Sequence, residues 1–394
     1  MQRRQLLQSL AGTSLALSAG QLWAAGPAKP CFLVVFLRGG YDAANLLVPV
    51  SSSFYYEARP TIAVARPGKD ANTALPLNAD WGLHPALRDS VYPLFQQGQA
   101  AFVPFAGTHD LTRSHFETQD SIELGQAPEG SRNYRSGFLN RLAATLKGSG
   151  AMAFTDRLPL VMQGDVQVPN TALRAVTKPA VDARQSSIIS AMYQGTQLSG
   201  SVDQGFTVRD EVVREMAAEM DAASRNAISA KGFELEARRI ARLMKGRYNL
   251  GFVDVGGWDT HVAQGGATGQ LASRFEELGR GLAAYAQEMG NRWRDTTVVV
   301  VSEFGRTFRQ NGNNGTDHGH GSVYWVLGGG LRGGQVAGEQ MVITPANLFQ
   351  NRDYPVLNEY RSLLGGLLAR QFGLSPSQLA GVFPGAEVRD HRLL

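Results

Sequence analysis

Three stretches of the chain share one pattern, an apolar run that breaks at a turn and then presents an acidic side chain. Cys31 to Leu37, in "CFLVVFLRGGYD", stops at Gly39 and Gly40 before Asp42; "LGFVDVGGWDTH" delivers Asp259 and His261; "TTVVVVSEFGRT" delivers Glu303. Unbroken apolar runs of this length suit strands buried on both faces of a parallel sheet. Between the second and third, Leu271, Phe275, Leu278, Leu282, Tyr285 and Met289 recur at alternating spacings of four and three, the stripe of a helix packed on one face. Strand, helix and strand in this order predict a parallel crossover, which puts both acidic sites on one edge of one sheet. In open α/β sheets that carboxyl edge is where ligands bind.

The centre of the chain reads differently. From about Gln126 to Ser201 the pattern is irregular, and from Thr207 to about Gly246 it is dense in Ala, Glu, Met and Arg, which predicts helix. No linker of Pro, Ser or charge sets this region apart, so the expectation is one domain over 30–394 with a helical cap or insertion around 126–246. The fold class expected is α/β, a mainly parallel central sheet with helices on both faces. "GGGLRGG" at Gly328 to Gly334 lacks the Gly-Lys-Ser/Thr ending of a phosphate loop and predicts a tight strand-to-strand turn.

Composition narrows the class of partner. With 43% hydrophobic and 18% charged residues, the 394-residue chain has ample material for a large core. The net charge of +4 is spread along the chain, without the basic blocks and interleaved aromatics that would track a nucleic-acid backbone. One cysteine, Cys31, excludes an intrachain disulfide and a thiolate metal cluster.

The first residues, "MQRRQLLQSLAGTSLALSAGQLWAAGPAKP", read as an address. Arg3 and Arg4 precede a short, weakly apolar stretch, and small residues at Ala24, Ala25 and Gly26 offer a cleavage site. The stretch resembles a twin-arginine export signal over 1–25, which implies the twin-arginine translocase as a transient partner and a periplasmic mature protein. The stretch falls short of the ~20 apolar residues a bilayer requires, and no integral membrane segment is expected in the mature chain.

The candidate chemistry lies in loops. Asp259-x-His261 and Asp317-His318-x-His320 offer carboxylate and imidazole at close spacing, a donor set for zinc, manganese or iron rather than for calcium or magnesium alone. Ser114 in "LTRSHFETQD" has two readings that the residues leave open, a helix N-cap or a nucleophile at a helix N-terminus beside His115. Trp258 and Trp325 are open between stacking on a sugar and packing.

The order Asp42, Ser114, Asp259 with His261, Glu303 and a late histidine in a glycine loop resembles the alkaline phosphatase and sulfatase superfamily. The blocks "LRGGYDAANLLVP", "RSHFETQD", "DVGGWDTH", "VVSEFGRT" and "GTDHGHGSVYWVLGGGLRGG" look more specifically like an uncharacterised bacterial family, number 1501 among domains of unknown function. The resemblance implies one or two divalent ions held by Asp42, Asp259, His261, Glu303, Asp317, His318 and His320, with Ser114 as nucleophile. It further implies that Arg306 neutralises developing charge and that Arg38 and His115 bind an anionic group. The expected activity is hydrolysis of a phosphate or sulfate ester in the periplasm, on a small anionic ester or an envelope glycan or lipid head group. The superfamily's aspartate-histidine pair is here Glu303-Phe304, so one imidazole is displaced or lost. A non-catalytic binding or envelope-assembly role on the same fold is the alternative, and transfer of phosphate-linked head groups is a third.

Overall fold

Apolar alternation along the central strands divides the core into two layers. In strand β1 (Cys31–Leu37), Cys31, Leu33, Val35 and Leu37 pack into one cluster while Phe32, Val34 and Phe36 pack into the other. Such double burial is possible only when helices cover both faces of the sheet. The computed structural model describes residues 29–129, 131–173, 183–208, 210 and 232–394. The twin-arginine stretch over 1–25 and most of the helical reading between Thr207 and Gly232 lie outside the described residues.

In chain order the strands are β1, β2 (Leu47–Pro49), β3 (Leu75–Pro76), β4 (Trp81–Leu83), β5 (Ala100–Gly107), β6 (Ala151–Ala153), β7 (Leu250–Val255), β8 (Thr296–Ser302), β9 (Ser322–Leu327), β10 (Gln335–Val336) and β11 (Asn358–Glu359). The main sheet runs β10-β5-β9-β8-β1-β7-β6 with β11 also paired to β5; β2, β4 and β3 form a small second sheet. All pairings in the main sheet are parallel except those of β9 with β5 and β8. The fold is therefore α/β with a mostly parallel central sheet, as the three apolar runs predict.

Helices α1 (His115–Leu124), α2 (Phe138–Thr145), α3 (Phe233–Gly246), α4 (Gln270–Met289) and α5 (Tyr360–Phe372) cover it. The six stripe residues of α4 are all buried, packed with Ile240 and Leu243 of α3 in the first layer. Leu139 and Leu142 of α2 and Leu363, Leu364, Leu367 and Leu368 of α5 close the other face. The stretch read as irregular, 126–201, instead contains α2 and β6, and β6 pairs with β7 to finish the sheet. A strand of three residues is too short for its period to register. The "GGGLRGG" turn joins β9 to β10, which flank β5 on opposite sides. Among the described residues no helix is long and apolar enough to cross a membrane.

Register decides where the chemistry sits. Leu37 of β1 lies level with Val255 of β7 and with Ser302 of β8, so the three strands end together. The carboxyl end of β5 faces the start of β9 at Ala106 and Ser322. The loops carrying Asp259, Glu303, His115 and His318 thus leave one edge.

Candidate metal centre

Three imidazoles and a carboxylate meet at that edge, and each imidazole is anchored the same way. His115 opens α1, where Ser114 caps the helix by accepting the Glu117 N–H at 3.5 Å. Its Nδ1 donates to Glu303 Oε1 at 2.8 Å. Its Nε2 is sealed from solvent, makes no hydrogen bond, and lies 3.5 Å from Asp259 Oδ2. His318 directs Nδ1 at the Arg113 carbonyl (3.1 Å), and His261 directs Nδ1 at Asp317 Oδ1 (3.2 Å). A carbonyl or carboxylate only accepts, so each Nδ1 carries a proton, and each Nε2 is turned toward the Asp259 carboxylate.

Those Nε2 atoms converge. His318 Nε2 is 3.2 Å from His261 Nε2 and 3.3 Å from Asp259 Oδ1, and His261 Nε2 is 2.8 Å from the same oxygen. A cation among these atoms, a metal ion or a proton on a ring nitrogen, balances the carboxylate charge they surround. Zinc–nitrogen bonds of about 2.0–2.1 Å in a tetrahedron set donors about 3.3 Å apart, close to the separations of His318 Nε2 from His261 Nε2 and from Asp259 Oδ1. His115, Asp259 and His318 offer ligand atoms within 4.8 Å of one another, with His261 beside them. The donor set and the orphaned Nε2 of His115 fit a divalent cation of the zinc type.

The outer groups hold this arrangement in place. Glu303 is fully buried and accepts from Gly39 N–H, His115 Nδ1 and Gln119 Nε2 on Oε1 and from Ser302 Oγ on Oε2. Burial opposes its charge, but these donors outweigh burial and hold its carboxyl below the usual range. The Glu303 hydrogen bond in turn raises His115, against its burial. His318 is lowered by burial first and then by the neighbouring His115 and Arg306. Asp259 is lowered, because the hydrogen bond from Arg306 Nη1 at 2.5 Å and that cation's charge overcome burial. Gly39 has φ +124°, and a Cβ there would stand 2.6 Å from the Asp259 backbone nitrogen, so glycine alone lets the two loops touch.

The sequence-derived site is thus partly assembled and partly dispersed. Asp259, His261, His318 and His115 come together; His115 joins the candidate ligands rather than standing apart as an anion binder. Glu303 and Asp317 stand behind the ring, each orienting an imidazole. Asp317 is itself lowered, its hydrogen bonds from Asn311 and His261 outweighing burial. Asp42 is not among the residues whose ligand atoms gather at the cluster: Arg59 holds its Oδ2 at 2.5 Å and Gln264 at 2.6 Å in a fully buried ion pair, while its Oδ1 is buried without a hydrogen bond. His320 is buried against the Phe349 ring and pushed down to about 4, chiefly by burial. Arg306 is committed to Asp259, Thr316 and the Gly39 carbonyl, which makes it a positioning residue for Asp259 rather than a free cation. Arg38 is likewise spent on Asp254 (2.7 Å), Glu123 (2.9 Å) and Gln119 (2.8 Å), so it is not poised for an anion. Ser114 acts as the cap. Trp258 and Trp325 are buried around Tyr41, with Trp325 Nε1 donating to its hydroxyl, and pack the core.

Two groups carried no signal that the sequence reading used. Gln119 lies one helical turn after His115 and shares its acceptor, a spacing of four that a helix starting at Ser114 would have suggested. Arg59 had none, since nothing local marks a cation that will pair with Asp42.

The family model described as "Protein of unknown function (DUF1501)" matches residues 29–383. No curated protein matches the chain. Among solved structures, the chain is similar to a protein in the alkaline phosphatase superfamily from Vibrio parahaemolyticus, at 11% identity and a TM-score of 0.34, covering 77% of this chain and 61% of that one. It is also similar to BT1596, a 2-O GAG sulfatase, at 10% identity and a TM-score of 0.36 over 90% and 73% of the two chains. Similarity to Ps i-CgsB in complex with k-i-k-neocarrahexaose stands at 9% identity and a TM-score of 0.39, over 93% and 76%.

Proposed function

For a chain that belongs to the DUF1501 family, we propose an exported, periplasmic metalloprotein with hydrolase-like chemistry on a phosphate or sulfate ester. One observation supports this reading above the others: three Nδ1-anchored imidazoles turn their Nε2 atoms onto Asp259 at the carboxyl edge of the sheet. His115, Asp259 and His318 would hold one zinc or manganese ion, with His261 as a fourth donor or as a hydrogen-bond partner to bound substrate. Bound there, the ion supplies Lewis acidity toward a phosphoryl or sulfuryl oxygen.

The chain's own residues do the rest. Glu303 keeps the His115 proton on Nδ1, and Arg306 fixes the Asp259 carboxylate. The side chains of Asp259 (41% exposed) and His261 (39%) open the cluster to solvent on one side, as a reactive site requires and a closed structural site does not. The Ser114 hydroxyl caps α1 by accepting the Glu117 N–H at 3.5 Å, a role that leaves its own proton free to be given up, and it stands beside water as the nucleophile candidate. Hydrolysis of aryl phosphate and aryl sulfate by the zinc- or manganese-loaded mature chain tests the reading, with turnover expected in wild type and lost in His318→Ala. Full metal occupancy without turnover of either ester would contradict it. Export is tested by fractionation, where Arg3→Lys with Arg4→Lys should retain the chain in the cytoplasm.

The non-catalytic reading draws on one specific observation, that Arg306 and Arg38 are both locked in ion pairs and leave a developing negative charge without a free guanidinium. On that reading the metal orders the loops, and its removal lowers stability with no ester turnover to lose.

A further inference from the structure

One hydrogen bond does not fix an imidazole. His115 and His318 are each held at Nδ1 by a single acceptor, Glu303 Oε1 at 2.8 Å and the Arg113 carbonyl at 3.1 Å. A ring tied at one atom still pivots about that bond, and the pivot swings Nε2 off its target. A second constraint comes from Phe304, which follows Glu303 and is buried. Its ring centroid lies 5.0 Å from that of His115 at a tilt of 37°, and 5.1 Å from that of His318 at 34°. The two imidazoles stand 4.3 Å apart, edge to face at 71°, so the three rings close a triangle. Such separations are those of aromatic rings in contact. The loop after β1 fixes the phenyl ring in turn. Gly40 has φ +63°, and a Cβ there would stand 2.5 Å from Phe304 Cδ2 and closer still to Cε2, so only glycine lets that loop pass under the ring.

We propose that Phe304 is a positioning residue for the cluster: its ring holds the faces of His115 and His318 and so fixes the direction of both Nε2 atoms. This rests on the metal-centred reading of the site and goes beyond it, because it assigns the ligand geometry in part to a side chain that offers no donor atom. Without the phenyl ring each imidazole keeps its Nδ1 anchor and gains freedom to pivot, which weakens the hold on a cation that needs both nitrogens at once.

The test pairs zinc affinity, read by chelator competition, with the absorption spectrum of the cobalt(II)-loaded mature chain. Wild type, Phe304→Leu, Gly40→Ala and the double variant are compared, each well below its unfolding midpoint. Phe304→Leu keeps the space apolar and should lower zinc affinity about tenfold with an altered cobalt spectrum. Gly40→Ala pushes on the ring from the β1 loop and should lower the affinity as well. The double variant should bind more tightly than the two single effects multiplied, because the smaller side chain admits the added Cβ, while the strain of alanine at φ +63° is common to both backgrounds and cancels. A role in packing alone would lower the unfolding midpoint and leave the affinity and spectrum of the folded chain as in wild type. That result overturns the inference, and so do two effects that simply multiply. Phe304→Met, an unbranched filler, carries the same comparison if the leucine variant does not fold. A wild-type chain that takes up neither zinc nor cobalt overturns the metal reading and this inference together; variants that match a metal-loaded wild type overturn the inference alone.

Discussion

Replacing Glu303 by glutamine separates the charge of this residue from its shape. The glutamine oxygen can sit where Oε1 accepts from Gly39, His115 and Gln119, while its NH2 faces Ser302 Oγ, a hydroxyl able to accept. The fold should therefore survive. Alanine would instead strand those donors in a fully buried site at about 1–3 kcal/mol each, enough to unfold the chain before the metal is examined. With glutamine, the bond to His115 Nδ1 changes from charge-assisted to neutral and loses about half its strength, or about 1.4 kcal/mol. His115 Nε2 becomes a weaker donor by that amount, so zinc affinity should fall about tenfold, at the low end of the range for such outer partners. Competition with a chromogenic chelator at neutral pH measures it, with thermal unfolding alongside to show that the chain is folded. A folded Glu303→Gln protein with wild-type zinc affinity would refute the idea that Glu303 tunes a metal ligand.

Asp42→Ala makes the opposite split: breaking the buried pair with Arg59 should cost about 3–5 kcal/mol of stability, read by denaturant unfolding, and Asp42→Asn, which keeps the shape, should retain zinc at wild-type affinity. Gly39→Ala should lower metal retention in elemental analysis, because the added Cβ pushes on the Asp259 backbone at 2.6 Å. Acid sensitivity should trace in part to His84, which is fully buried, donates from Nε2 to the Gly266 carbonyl and accepts the Ala86 N–H on Nδ1. Burial lowers it to about 4, so the unfolded chain binds the extra proton between about 6.5 and 4 and stability is lost as pH falls through that window, by about 3 kcal/mol. His320, also lowered to about 4, adds a loss of the same sign. Chemical denaturation across this range should show a shallower slope in His84→Gln, and an unchanged slope would contradict the assignment.

How much of this was legible in the sequence depended on whether the signal was local. β1, β7, β8 and α4 were readable because each buries a periodic or unbroken apolar set, and the carboxyl-edge location of Asp259 and Glu303 followed from their order. β6 escaped because three residues carry no period, and the antiparallel insertion of β9 between β8 and β5 is a non-local pairing that no short pattern encodes. In the site, Asp259, His261 and His318 were legible from their spacing. The role of His115 was not, since the carboxylate that orients it, Glu303, is 188 residues away in the chain. For Asp42 the position past β1 suggested a ligand, and the ion pair its Oδ2 makes with Arg59 was not legible, because that partner is revealed only by the folded chain. Arg38 and Arg306 likewise read as anion binders until their carboxylate partners are in view.

The central claim is that His115, Asp259 and His318 share one divalent ion. Elemental analysis of the mature protein, purified without chelator, tests it most directly, comparing wild type with His115→Ala, His318→Ala and Asp42→Asn. The account predicts about one zinc or manganese per folded wild-type chain, loss in both histidine variants and retention in Asp42→Asn. A folded wild-type chain that remains metal-free even after zinc is added, or metal that survives both histidine substitutions, would contradict it.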